Sequence, residues 1–256
     1  MQVVLIGAGN IAVSLGAALV RFGHQVVQVY SRTVESASSL AANLHCSYTC
    51  DLHCLKSGAD IYFVCLKDDV IQSLAHEIVK GLDDSLFVHV AGSIPMDVFP
   101  CGRRGVMWPI QSFSRSRVID NWKDIPLFIE ASDEQDRKLV RNIAMSLSDN
   151  VYDSTSEDRS YIHLAAVFCN NFSNHCYAIS EKLLRDRGVP FKTLLPLIDG
   201  AAAKVHDVPP AEAQSGPAVR GDRGVIEKHL EMLRDYPDLL YIYKVLSDNI
   251  TKYRNR

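Results

Sequence analysis

Nowhere does this sequence of 256 residues carry the roughly 18 consecutive apolar residues that a membrane-spanning helix needs, so no membrane partner is expected. The apolar start lacks a basic n-region, and Gly7, Gly9 and Asn10 interrupt it, which argues against a secretory signal and for the cytoplasm. Charge of one sign is also nearly absent. A net charge of −3 gives no general attraction to nucleic acid or to anionic membrane, and leaves a small molecule as the expected partner. There is no linker rich in glycine, proline or serine, no internal repeat and no low-complexity tract. The seven cysteines are odd in number and lack the spacing of a metal site, even where Cys46, Cys50 and Cys54 gather with His45 and His53, so they read as reduced thiols with no metal.

What is present is the composition of an ordinary globular protein, 47% hydrophobic and 22% charged. Its most informative stretch is Val3 to Thr33, which reads strand, glycine turn, helix, strand. Gly7 permits a tight turn off the strand, Gly9 lets a phosphate approach the backbone, and Ala12 and Gly16 let the helix lie close to the sheet. The amides near Asn10 and Ile11 then face a helix N-terminus suited to a dinucleotide pyrophosphate. At the end of the second strand an NAD site wants an acid, and this chain has Ser31, Arg32 and Thr33. A guanidinium flanked by two hydroxyls suits a 2′-phosphate, so the expected cofactor is NADP(H).

Strand and helix go on alternating from Val34 to about residue 153. DIYFVCL at 60–66 is the length and composition of a central parallel strand, which puts Leu66, Lys67 and Val70 at the cofactor's edge. Leu86 to Ala91 is the next strand, and Ala91, Gly92 and Ser93 at its carboxyl end would line the nicotinamide side. Gly105 to Met107 leads into WPIQSF, Leu127 to Glu130 is a further strand, and Asp133 caps a helix over 134–147. From residue 154 the chain reads as entirely helical. The expected architecture is α/β: a Rossmann dinucleotide-binding domain over 1–153 and an all-helical domain over 154–256.

In the helical half, a segment from about Glu157 to Arg185 is apolar almost all round. At about 100° per residue, His163, Val167, Asn170 and Asn174 form one polar stripe. If it faces the nicotinamide, His163 is the candidate proton donor, with Asn170 and Asn174 as hydrogen-bonding groups. The other reading is a satisfied core histidine with amides tying helix to helix. Arg220, within the glycine-containing segment 214–223, offers a fork suited to a carboxylate, or a structural ion pair, while Asp222 reads as a helix cap.

GAGNIA near the start, WPIQSFS at 108–114, HLAAVFCNNFSNH at 163–175 and SGPAVRGD followed by HL at 229–230 together resemble a family of Rossmann-like proteins with an all-helical C-terminal domain of unknown function. That family is similar to pyrroline-5-carboxylate reductase, ketopantoate reductase and the deazaflavin-dependent NADP oxidoreductases. The resemblance implies an NADP-dependent oxidoreductase with its site between the domains and its helical domain pairing two subunits. The residue before Pro109 is often histidine or tyrosine in such proteins. Here it is Trp108, which has no acid–base role at neutral pH and is expected to shape a pocket wall.

The resulting expectation is hydride transfer between NADPH and a small carbonyl or imine, in a homodimer to which Arg220 contributes from its own or the partner subunit. Two alternatives share the same fold: a non-catalytic NADP-binding sensor, and a deazaflavin-dependent NADP reductase with a second planar-ligand pocket.

Overall fold

After Gln2 the first strand has no polar residue, and β1 (Gln2–Ile6) is buried from Val3 onward. The computed structural model describes residues 1–114, 118, 119 and 121–254. Beyond β1 come α1 (Asn10–Arg21), β2 (Gln25–Tyr30), α2 (Val34–Leu44), β3 (Ser47–Thr49), β4 (Ile61–Val64) and α3 (Asp68–Val79). They are followed by β5 (Phe87–His89), β6 (Arg104–Pro109), β7 (Leu127–Ala131), α4 (Glu134–Leu147) and β8 (Val151–Asp153). Among the described residues one eight-stranded sheet runs β3-β2-β1-β4-β5-β6-β7-β8, with β6 and β7 paired antiparallel and the other neighbouring strands parallel. Strand order reverses between β1 and β4. At such a switch point the connections leave to opposite faces, and the carboxyl ends of the two strands border an open crevice.

The period of two along each strand divides the core. Val3, Leu5, Ile61 and Phe63 pack with Leu15 and Leu19 of α1, Leu40 of α2 and Val140 of α4. Val4, Ile6, Tyr62 and Val64 pack with Ile71, Ala75 and Ile78 of α3. Each large aliphatic side chain buried in this way contributes about 1.5–3 kcal/mol. Local signals set the helix ends: Asp133 accepts the Asp136 N–H at 2.8 Å, as its capping position predicts. The third strand starts at Ser47 and not at His45, because His45 ends α2 in the left-handed conformation, φ 54°.

The remaining elements are helical, as expected: α5 (Ser156–Ala166), α6 (Ser173–Arg185), α7 (Leu195–Asp207), α8 (Pro210–Ala213), α9 (Pro217–Arg220), α10 (Arg223–Met232) and α11 (Pro237–Arg254). By contact the chain divides into two compact units, Met1–Cys169 and Asn170–Arg256. The first holds the whole sheet and α5.

Two expectations for the 157–185 segment need correction. It is not a uniform α-helix, because Val167–Phe172 forms a π-helix. Hydrogen bonds from i to i+5 change the angular step, so the 100° spacing that aligned His163 with Asn170 and Asn174 does not hold through it. Nor is the segment buried on most sides: Tyr161, Leu164, Phe168 and Phe172 are 68%, 54%, 62% and 50% exposed. Apolar pattern alone reports that a surface avoids water, not what covers it. In the second unit the same holds throughout, with Ala218 and Leu233 the buried apolar residues among those described.

Two glycines of the first unit are under different constraints, which stability measurements will separate. A Cβ on Gly7 would lie 2.4 Å from the Cys65 carbonyl oxygen at a backbone φ of +122°. One on Gly16 would meet the flexible ends of Leu44 and Leu5 at 2.7 and 3.0 Å. Gly7→Ala is expected to cost about 2–5 kcal/mol in denaturant unfolding, from strain and overpacking together. Gly16→Ala is expected to cost less than about 1 kcal/mol, since the helix-propensity gain offsets the crowding. Equal losses would refute this account.

Candidate active site

Gly7 stands at the switch point. Its N–H donates to the Tyr30 carbonyl of β2 at 2.8 Å, while its Cα lies against the Cys65 carbonyl just beyond β4. Only a residue without a side chain fits between the two strand ends. Gly9 differs: a Cβ built there meets nothing within 4 Å, so its open side faces space outside the protein. It is also the N-cap of α1, where no side chain caps the helix and no acid occupies the first turn. The first amides of α1, those of Asn10, Ile11 and Ala12, are therefore left without intrahelical acceptors. This cradle fits a dinucleotide pyrophosphate, which supplies the negative charge and acceptors that the end of α1 lacks. Ala12 is fully buried against the sheet. The Asn10 side chain has another task, donating through Nδ2 to the Phe113 carbonyl at 3.1 Å and so tying the segment after β6 to the helix start.

At the end of β2, the Ser31 N–H donates to the Thr49 carbonyl at 3.2 Å, which fixes the backbone there. Arg32 and Thr33 are exposed, and Thr33 is the N-cap of α2 without a side-chain cap bond. A phosphate would find both side chains at the adjoining strand end. Leu66 is half-buried beside Gly7, Lys67 is the exposed N-cap of α3, and Val70 is half-buried in its first turn.

Beyond β5 the structure adds a link the sequence did not show. The Ser93 hydroxyl donates to the Asp68 carboxylate, joining the segments that follow β5 and β4. Ala91 is nearly buried. Gly92 does not leave an empty space: a Cβ there would lie 2.5 Å from Cε2 and 3.0 Å from Nε1 of Trp108. The indole of β6 fills that room, with its ring centroid 5.9 Å from the imidazole of His163 in α5 and 5.9 Å from the ring of Phe128. The first unit thus brings together Gly92, Trp108 and His163 at the carboxyl edge of the sheet, with the Trp108 indole packed between them. His163 is half-exposed. Asn170, Asn174 and Arg220 belong to the second unit and are exposed there, Asn170 within the π-helix and Arg220 at the end of α9. Asp222 caps α10 as expected, accepting the Val225 N–H at 3.4 Å.

A doubly wound sheet with an uncapped glycine turn at its switch point defines a Rossmann-type dinucleotide-binding protein. Comparison with known proteins makes this more specific. A family model described as NADP oxidoreductase, coenzyme F420-dependent, matches residues 2–92, and one described as domain of unknown function DUF2520 matches residues 125–250. A Bacteroides fragilis protein named "putative NADP oxidoreductase" is 47% identical over 98% of both chains, with a TM-score of 0.91. The chain belongs to the same oxidoreductase family as that protein, as its motifs indicated. Two more distant structures share the fold. They are an imine reductase from Myxococcus stipitatus in complex with NADP+ (15% identity, 100% of this chain and 93% of that one, TM-score 0.65) and the 1-pyrroline-5-carboxylate reductase of Streptococcus pyogenes (13%, 100% and 99%, 0.62). No curated protein matches the sequence.

The Gly92–Trp108 contact can be measured. Gly92→Ala is expected to cost about 1–3 kcal/mol through overpacking. In a Trp108→Leu background, where the indole is gone, the same change is expected to cost at least about 1 kcal/mol less. Additive effects in this double-mutant cycle would refute the contact.

Proposed function

We propose that this protein transfers a hydride between NADPH and a small carbonyl or imine substrate. The observation that carries the proposal is convergence within one compact unit: the uncapped start of α1, the exposed Arg32, and the Gly92–Trp108–His163 group all lie at the carboxyl edge of one sheet. Gly7, Gly9, Asn10, Ile11 and Ala12 hold the pyrophosphate through backbone amides. Ser31, Arg32 and Thr33 hold the 2′-phosphate. Leu66, Lys67, Val70, Ala91, Gly92 and Ser93 border the nicotinamide, and Trp108 walls the pocket. His163 is the proton donor, Asn170 and Asn174 hydrogen-bond the substrate, and Arg220 pairs with an acidic substrate group. When bound, the cofactor supplies the hydride; the residues named here orient the reactants and support the proton transfer. This assigns cofactor binding to the Rossmann part up to residue 153, and substrate binding and pairing to the helices from residue 154.

We also propose a homodimer formed through the helical part. Among the described residues of the second unit, Ala218 and Leu233 alone are buried apolar residues, which is less than the core that holds an isolated domain together. Leu164, Phe168, Leu197, Tyr241, Val245 and Leu246 among the exposed residues of the helical part supply what a second copy would cover. Among the described residues no helix is long and apolar enough to cross a membrane. All seven cysteines are free thiols, which suits the cytoplasm as the proposed compartment.

The cofactor assignment predicts turnover in an assay of NADPH oxidation with small keto acids, cyclic imines and aldehydes. It also predicts tighter binding of NADPH than of NADH, with Arg32→Ala narrowing the gap by about tenfold as a phosphate ion pair is lost. Equal affinity of the unmodified protein for both cofactors would sink the phosphate assignment. In light scattering the protein is expected to run as a dimer at micromolar concentration, and a monomer would overturn the pairing.

A further inference from the structure

The segment following β5 is held from beneath by a buried charge that no step above employs. Arg159 of α5 is fully buried, paired with the Glu130 carboxylate of β7. Its Nη2 donates to the Ile94 carbonyl at 3.0 Å and to the Ser156 hydroxyl at 3.2 Å. Ser156 in turn donates to Glu130 at 2.9 Å and accepts the Met96 N–H at 3.1 Å. At the other end of the segment, fully buried His89 accepts the Ala91 N–H on Nδ1 at 3.3 Å. Burial, and then the Arg159 charge, push the imidazole down to about 3, so His89 stays neutral and keeps that acceptor. Three backbone groups between residues 91 and 96 are thus each bound by a side chain from below, on either side of Gly92 and Ser93.

The arrangement is poor as a device for stability alone. Arg159 Nε is buried without a hydrogen-bond partner among the described residues. A buried ion pair loses much of its attraction to desolvation, and apolar residues of similar volume often replace such pairs without loss. What apolar residues could not do is grip the carbonyl and amides of an irregular segment. Arg159 does so with one planar fork that reaches the segment, the carboxylate of β7 and the hydroxyl of Ser156 together.

We propose that Arg159, with His89 and Ser156, is a positioning device that holds residues 91–96 in the one register in which Ala91, Gly92 and Ser93 meet the nicotinamide. This rests on the reading of those three residues as the nicotinamide's border. Arg159 touches neither cofactor nor substrate; it acts through the backbone that does. The adenosine and pyrophosphate contacts lie elsewhere, so losing the grip disturbs the nicotinamide end and leaves overall affinity nearly intact.

The test uses the full-length protein and NADPH alone. In Arg159→Lys, the lysine can still pair with Glu130 but has no fork with which to reach Ile94 and Ser156. Amide hydrogen exchange over 91–96 is expected to quicken at least about tenfold with no cofactor present, as local opening becomes easier. NADPH affinity is expected to stay within about threefold, and NADPH emission sensitised by Trp108, read with every variant in a Trp122→Phe background so that the other tryptophan makes no contribution, to fall to about half or less, as the nicotinamide leaves its fixed place beside the indole. Arg103→Lys weakens the pair between half-exposed Arg103 and buried Asp136 at the opposite end of β6 and serves as the control for stability loss alone. It is expected to change neither signal. Should Arg159→Lys fail to fold, Ser156→Ala removes the Met96 acceptor while keeping the guanidinium, and carries the same expectation.

Unchanged exchange over 91–96 would overturn the device itself. Quickened exchange with unchanged sensitised emission would overturn its bearing on the nicotinamide. Failure of the unmodified protein to bind NADPH would instead overturn the cofactor reading and the functional half of this proposal with it, while the exchange result would still decide the grip.

Discussion

At the switch point of the sheet, the Cα of Gly7 rests against the carbonyl of Cys65 in a space where a methyl group would overlap backbone. Backbone atoms cannot step aside as a leucine end can, so this approach sets the distance between the exits of β1 and β4. From that distance follow the direction in which α1 leaves the strand and the place of its uncapped amides. Leu66 and the start of α3 are set by it on the far side of the crevice. The proposed dinucleotide cradle is thus a consequence of how closely two parallel strands finish, and the helix dipole acts on a geometry already imposed by packing.

The contacts spread from there strand by strand. Asp68 at the start of α3 takes the Ser93 hydroxyl beyond β5, Gly92 receives the Trp108 indole of β6, and the indole carries His163 of α5 beside it. Beneath the same segment, the Arg159–Glu130 pair and Ser156 bind its backbone. Each link joins the carboxyl end of one strand to an adjoining element, so the rim of the sheet forms one connected surface. The proposed chemistry would occupy that rim because it is the part of the fold where backbone amides are unclaimed by the ladder and side chains of several elements meet.

The helical part follows different physics. Its sequence has the apolar content of a core, yet Ala218 and Leu233 are nearly its whole buried apolar set among the described residues, and large apolar side chains lie open along α5, α7 and α11. An amphipathic helix records which side avoids water and is silent on whether its own chain or a second copy shields it. That is why the 157–185 segment, apolar almost all round, could be read as buried. The π-helix at 167–172 escaped for a related reason, since an inserted residue leaves apolar spacing nearly unchanged while it alters the phase of everything after it.

Features resting on near neighbours in the chain were therefore legible in the sequence. The strand–turn–helix at 3–33, the caps at Asp133 and Asp222, a strand within 60–66, found over Ile61–Val64, and the change to all-helical structure near 154 each depend on residues within a few positions of one another. Tertiary structure alone decided that Gly92 accommodates an indole 16 positions away, that Asp68 and Ser93 meet across 25, and that Arg159 lies buried against Glu130 across 29. In the sequence Arg159 sits among Ser156, Glu157, Asp158 and Ser160, the composition of a solvated first turn. Charge and periodicity describe a residue's preference for water, and only the packing of distant strands determines whether a partner waits in the interior to take its place.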